Sequence, residues 1–286
     1  MRIGIDSYCW HRFFGEVYAG IETDPGRRMD LPEVIARAAA LGAEGVSLES
    51  FMLPDTAPET LRALGDVLDA SGLDVVWAWG HPNGLGSGTL PGALDDLLHH
   101  VDVARALGAR VMRICAGGRR TRTLPWAEHR ALLLPLLARA ADHAAREGVV
   151  LAIENHIDLT AAELRDLLTT LDHPALGVCL DTGNTLRMLE DPLAVTEALA
   201  PFVRATHVKD VAAYRGSPRD FAFWPSVPLG RGLIDLPAVL ARLRTAGFDG
   251  LLALEIDYLH PAWPDLDAAI ADSLAHLRGL RAVAGG

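Results

Sequence analysis

At 286 residues, half of them hydrophobic and 22% charged, the chain has the profile of an ordered globular protein rather than a disordered one. A formal net charge of −11 argues against a nucleic-acid partner, because phosphate binding requires a basic surface. Three scattered cysteines, Cys9, Cys115 and Cys179, are too few for a disulfide framework and read as small buried apolar residues. The first residues, MRIGID, pass straight into an apolar run. Neither a signal peptide nor a membrane span is evident, so a cytoplasmic location and no membrane partner are expected.

Along the chain, short runs rich in Val, Ile and Leu alternate with longer segments of helical spacing. The runs predict eight strands: Arg2–Asp6, Gly45–Glu49, Asp74–Trp79, Arg110–Cys115, Val149–Glu154, Leu176–Asp181, Ala205–Lys209 and Leu251–Ile256. Several are apolar nearly throughout, as expected of parallel strands with helices on one face and barrel core on the other. Between the second and third runs, Leu61, Leu64, Val67 and Leu68 share one helical face, and Gly72 follows where the helix ends. After the fifth, Thr160 and Glu163 fit a capping box. After the seventh, Asp235 and Pro237 open a helix carrying Val239, Leu240 and Leu243, closed by Gly247. Eight such units with no Pro/Gly/Ser-rich linker predict one α/β domain over residues 1–286, a closed (β/α)8 barrel. No Gly-rich dinucleotide fingerprint follows the first strand.

Two connections exceed plain turns, from Ser7 to about Asp24 and from Asp210 to about Ile234. Both leave C-terminal strand ends, where barrel enzymes place their active sites. They are rich in aromatics, Trp10 among them. Most such rings pack loops down, and one or two are expected to wall a sugar-binding pocket.

The last four strands end VVLAIEN, GVCLDTGN, ATHVKD and LLALEID, placing Glu154, Asp181, His207 and Glu255 at one end of the barrel. A buried carboxylate is costly to ionise, and three converging on one mouth repel unless a positive charge lies between them. A divalent cation meets that need, with His207 as the nitrogen ligand. Three oxygen donors and one nitrogen suit Mn2+ first, with Mg2+, Co2+ or Zn2+ as alternatives. His156, just past Glu154, and His81, in WGHPNG, are further candidates for the pocket, as is Lys209. Glu49 and Arg113 read as a strand-end ion pair. The run Arg119, Arg120 and Arg122 reads as a solvated loop, with phosphate or carboxylate recognition as the alternative.

The Glu154 strand, the Asp181-Thr-Gly-Asn184 turn, the His207-Val-Lys-Asp210 run and PLGRGLID leading to Glu255 resemble the sugar phosphate isomerase/epimerase family, the xylose isomerase-like TIM barrels. The resemblance covers essentially the whole chain. It implies one metal ion held by Glu154, Asp181, His207 and Glu255, with Glu154 and Glu255 also serving as the catalytic acid/base pair. Two positions depart from the family pattern. Asn184 stands where a histidine is usual and becomes a candidate for a substrate hydroxyl. Arg231 stands where an acidic or small residue is usual and becomes a candidate for an anionic substrate group.

The function expected is that of a metal-dependent isomerase or epimerase of a sugar or keto-polyol, acting through an enediolate. A lyase or dehydratase on a 3-keto sugar or glycoside is the first alternative, and a non-catalytic sugar-binding barrel the second. Expected partners are a small sugar-like molecule and, at most, further copies of this chain.

Overall fold

The computed structural model describes residues 1–283. Eight parallel strands close into a barrel: β1 (Arg2–Asp6), β2 (Gly45–Glu49), β3 (Asp74–Ala78), β4 (Val111–Ile114), β5 (Val150–Glu154), β6 (Leu176–Asp181), β7 (Val203–Val208) and β10 (Leu251–Leu254). Around the wall they run β1-β10-β7-β6-β5-β4-β3-β2. All eight predicted strands are present. The seventh starts two residues earlier than predicted, and the third, fourth, fifth and eighth are a residue or two shorter. A short antiparallel ribbon, β8 (Asp210–Val211) with β9 (Ser226–Val227), was not predicted. Two-residue strands leave no periodicity to read.

The helices α1 (Leu31–Ala40), α2 (Pro58–Ser71), α3 (Ala93–Ala106), α4 (Trp126–Glu147), α5 (Ala161–Leu171), α6 (Thr182–Arg187), α7 (Pro192–Leu199), α8 (Leu236–Thr245) and α9 (Leu266–Val283) lie between and after the strands. Helix α2 buries Leu64 and Leu68 and ends on Gly72 in the left-handed conformation. The Thr160–Glu163 capping box opens α5. Asp235 accepts from Ala238 N to open α8, with Pro237 in its first turn. Each such cap stabilises its helix by about 1 kcal/mol. Among the described residues, no helix is long and apolar enough to cross a membrane.

Inside the barrel, Ala152 of β5, Cys179 of β6 and Ala205 of β7 pack together, with Val76 and Val111 against them. Each of the first three lies two residues before an ionisable side chain: Glu154, Asp181 and His207. The two-residue period of a strand turns both members of each pair to the same face, so small residues lie beneath the charged ones. All three cysteines are free and buried, as the sequence implied.

One turn above the mouth is built around a single carboxylate. Asp210 accepts from the main-chain N–H groups of Val211 (3.0 Å), Gly230 (3.0 Å), Gly232 (2.8 Å) and Ile234 (3.1 Å). A Cβ at Gly232 would collide with that carboxylate, which accounts for the glycine. The PLGRGLID segment is therefore wrapped on Asp210. Asp210→Ala should lower the unfolding free energy by about 3 kcal/mol, since hydrogen bonds to charged groups are worth about 1.5–3 kcal/mol each and do not add fully. Urea denaturation checks this, and a loss below about 1 kcal/mol would contradict the clamp.

Candidate functional site

Strands β5, β6, β7 and β10 are consecutive in the wall, so Glu154, Asp181, His207 and Glu255 rise side by side at its C-terminal end. All four are buried, Glu255 being the most exposed at 5%. Ligand atoms of Glu154, Asp181 and His207 lie within 4.8 Å of one another. Glu255 Oε2 is 2.6 Å from His207 Nδ1.

Each carboxylate has one oxygen held by the protein frame and the other turned toward His207, though the inward oxygens of Glu154 and Asp181 also accept from Asn184. Asp181 Oδ1 caps α6 by accepting from Asn184 N at 2.8 Å, while Oδ2 lies 4.0 Å from His207 Nδ1. Glu154 Oε2 is held by Arg113 Nε at 2.7 Å, while Oε1 lies 3.7 Å from His207 Nδ1. Glu255 Oε1 is held by Lys209 Nζ at 3.0 Å, leaving Oε2 free to face the imidazole. Behind the imidazole stands Asp6, which sequence reasoning did not single out. Its Oδ1 accepts from Tyr8 N at 2.6 Å, and its Oδ2 lies 3.3 Å from His207 Nε2. A carboxylate on the far nitrogen orients a histidine whose near nitrogen serves a ligand site.

Charge at this end of the barrel is unbalanced. Among the described residues, six buried carboxyl groups (Asp6, Glu49, Glu154, Asp181, Glu255 and Asp257) surround three largely buried cations, Arg113, Arg187 and Lys209, and one imidazole. Lys209 reaches Asp181 at 2.9 Å and Glu255 and Asp257 at 3.0 Å. His207 Nδ1 faces Glu255 Oε2 at 2.6 Å and His207 Nε2 faces Asp6 Oδ2 at 3.3 Å, and all four atoms are buried without an aligned hydrogen bond. A nitrogen and a carboxylate oxygen in poor alignment with each other, beside two further carboxylates, fit a divalent cation, so the site could hold one.

Burial raises carboxyl pKa values and nearby cations lower them, and the balance differs along the cluster. Burial would raise Glu255, but Lys209 and His207 bring it down to about 2. Burial acts likewise on Glu154, where Arg113 and His207 prevail and hold it well below its ordinary value. At Asp181 burial prevails over Lys209 and lifts it to about 6. At Glu49 burial prevails over Arg113, 3.4 Å away, and lifts it to about 8. For His207 burial opposes protonation, yet the carboxylates of Glu255 and Asp6 raise it well above its ordinary value.

A small cavity of about 110 Å³ opens on this cluster, lined by Glu154, Asn184, Lys209 and Glu255 beneath Tyr8, Tyr18 and Phe221. Two larger cavities adjoin it. One of about 430 Å³ shares Tyr8, Arg113 and His156 with it and includes Glu49 and His81. The other, of about 610 Å³, shares Ile157 and Arg187. The structure thus brings His156, His81, Asn184 and Lys209 to the mouth. Asn184, however, spends its amide donors on Glu154 Oε1 (3.0 Å) and Asp181 Oδ2 (2.9 Å), and its oxygen accepts from Arg187 (3.2 Å). It ties two carboxylates together rather than offering its amide to a substrate hydroxyl.

Two expected pocket residues lie elsewhere. Trp10 is 1% exposed and packs in the main core, because the 3-10 helix Ser7–Phe14 turns it inward and presents Tyr8 to the mouth. Arg231 is exposed and lines a separate surface cavity with Asp272 and His276. Arg113 joins Glu49 as expected but holds Glu154 more closely. Arg187 and Asp257, which pair at 2.5 Å and 2.9 Å, were not anticipated. One signal was available: Arg187 stands three residues after Asn184, on the same helical face.

Residues 35–280 match the family model described as xylose isomerase-like TIM barrel. The 3-oxo-isoapionate decarboxylase of Pectobacterium atrosepticum is 31% identical over 157 residues, which is 55% of this chain and 55% of that protein. This chain therefore aligns with about half the length of that relative. The 2-epi-5-epi-valiolone 7-phosphate 2-epimerase of an Actinoplanes species is 30% identical over 233 residues, 78% of this chain and 82% of that one. Among solved structures, an L-ribulose 3-epimerase superposes with a TM-score of 0.75 at 19% identity, over 99% of this chain and 97% of that one, a likeness of fold.

The raised pKa of Glu49 has a sign that can be checked. Its protonated form is favoured on folding, so its contribution to stability is complete below the ordinary carboxyl value of 4.5 and is lost as pH rises through about 8. Glu49→Gln keeps the shape and removes the titration. Relative to the variant, the wild type should lose stability from about pH 5 to about pH 8 and then level off. Urea midpoints across that range test it, and parallel curves for the two proteins would refute the assignment.

Proposed function

The chain belongs to the xylose isomerase-like TIM barrel family, and on that premise we propose that it is a metal-dependent isomerase or epimerase of a keto sugar or related polyol. The observation that carries this reading is the mirrored pair of glutamates. Glu154 is held by Arg113 through one oxygen, and Glu255 by Lys209 through one oxygen. Their other oxygens converge on His207 Nδ1 at 3.7 Å and 2.6 Å. Glu154, Asp181, His207 and Glu255 would hold the ion, with Mn2+ the first choice. A divalent cation bound there would supply positive charge that acidifies a proton on the carbon beside a carbonyl and stabilises the enediolate.

The remaining steps belong to the protein. One glutamate, kept ionised by its cation, removes the carbon-bound proton. The other returns a proton at the neighbouring carbon or on the opposite face. Lys209 and Arg113 hold the outer oxygens so that the inner ones keep their aim. Tyr8, Tyr18 and Phe221 line the small cavity and would limit the access of water to it. A pure binding protein has no use for so costly a cluster of buried charge.

A lyase is the second reading, favoured by the similarity to the decarboxylase. The same enediolate would then form by loss of a group, or expel one, before protonation. Solvent deuterium exchange with the manganese-loaded protein and a panel of ketoses separates the two. Deuterium entering beside the carbonyl with no group lost supports the isomerase reading. Turnover with loss of a group supports the lyase, and no exchange with any member overturns both.

Substitutions separate ligation from chemistry. At saturating metal, Glu154→Gln and Glu255→Gln should each lower kcat by about 10²–10⁴-fold, the usual worth of a positioned acid or base. Asp181→Asn should regain most of its activity as metal is raised. Equal recovery of all three variants would leave the glutamates as ligands alone.

A further inference from the structure

The 110 Å³ cavity at the glutamates shares Ile157 and Arg187 with a larger neighbour, into which a sugar reacting at the glutamates can extend. The larger neighbour, of about 610 Å³, is lined by Arg119, Arg122, Arg187 and Arg219, four guanidinium groups in a chain of net charge −11. Two of these are already matched. Arg122 makes paired hydrogen bonds to Glu163 at 2.9 Å and 2.8 Å, and Arg187 is matched by Asp257.

The other two are not. Arg119 donates to main-chain carbonyls alone, those of Arg187 (3.1 Å) and Arg219, which fix its position without neutralising its charge. Among the described residues, the guanidinium of Arg219 pairs with no carboxylate. Of the acids on this cavity, Glu163 is spent on Arg122. Asp158 buries both carboxylate oxygens away from solvent, leaving the exposed Asp220. The lining therefore offers two guanidinium groups without a carboxylate partner, Arg119 held in place by main-chain carbonyls and Arg219 open to solvent, with Asp158 and Asp220 as the other acids nearby. The rim is built as well: Leu189 is 53% exposed yet held at φ 61°, a left-handed conformation that a bulky residue rarely adopts. Arg187 joins the two cavities, since it also contacts Asn184 between the inward carboxylates.

We propose that this cavity is an oxyanion subsite, in which Arg119 and Arg219 receive a phosphomonoester or carboxylate group at the end of the substrate remote from the reacting carbon. Planar guanidinium donors match either group in paired hydrogen bonds. The proposal rests on the reading of Glu154 and Glu255 as the reacting centre, because that reading fixes which end of the substrate is remote.

The test uses the full-length, manganese-loaded protein. Inorganic phosphate is titrated by calorimetry into the wild type, Arg219→Glu and Arg119→Gln. Arg219 is exposed and forms no ion pair, so its replacement should not disturb folding. The wild type should bind phosphate in a salt-sensitive manner, and Arg219→Glu should weaken binding about tenfold or more, the effect of losing one charged hydrogen bond. In the second arm, a ketose, its phosphate ester and a uronate are compared by deuterium exchange. The ratio of kcat/KM for the charged over the uncharged sugar should fall about tenfold in Arg219→Glu. A fall for the phosphate ester assigns a phosphate, and a fall for the uronate assigns a carboxylate. Equal phosphate affinity in wild type and Arg219→Glu, or no phosphate binding with unchanged ratios, overturns the subsite. Phosphate binding lost in Arg219→Glu, with no exchange on any sugar, upholds the subsite and removes the proposed reaction instead.

Discussion

Carboxyl groups crowded at the C-terminal end of the barrel repel one another, and the local structure there is organised around holding them. Six of them meet three cations and an imidazole in a space largely closed to water. Adjacent strands lie about 4.8 Å apart, which brings one side chain per strand to the mouth at near-contact spacing. Small residues two positions earlier, Ala152, Cys179 and Ala205, leave room for the charged ones to stand inside the wall. Asp181 and Asp6 each give one oxygen to the N-cap of the following helix, which fixes where the other oxygen points. The inward oxygens and His207 Nδ1 are thereby assembled before any ligand arrives.

Most of this framework was legible in the sequence because it rests on burial. Apolar runs marked all eight barrel strands, and Glu154, Asp181, His207 and Glu255 followed as the ionisable residues at the ends of the last four. Strand ends were less legible, since side-chain hydrophobicity continues past the last ladder hydrogen bond, as in Ile256 beyond β10. Residues whose roles depend on tertiary geometry were misread or missed. Trp10 looked like a pocket wall because its loop is aromatic-rich, yet a 3-10 turn sends it into the core. Asn184 looked free to meet a hydroxyl, yet its amide is enclosed by Glu154, Asp181 and Arg187. Asp6 and Asp257 carry no local pattern that marks them, because the His207 and Arg187 they meet lie tens of residues away or more, and Arg187 was marked only by its spacing from Asn184.

The division of labour within the mouth follows the order of strands. The second half of the barrel supplies the inward donors, while β2 and β4 supply Glu49 and Arg113, which steady Glu154 from the side. The loops after β1, β4 and β7 supply tyrosines and arginines around the flanking cavities. Substrate choice would then reside in loops, which tolerate change, and proton transfer in strand ends, which do not. Enzymes as different as a decarboxylase and an epimerase among the relatives fit that separation.

If the inward oxygens of Glu154, Asp181 and Glu255, together with His207, form a site for a single divalent cation, the protein retains that ion through dialysis. Elemental analysis tests it most directly, on protein incubated with manganese, cobalt, magnesium or zinc and then dialysed, alongside His207→Ala. About one ion per chain is expected in the wild type and a marked loss in the variant, since removing the nitrogen donor of the set opens it. A wild-type content near zero with every metal, or an undiminished content in His207→Ala, would contradict it.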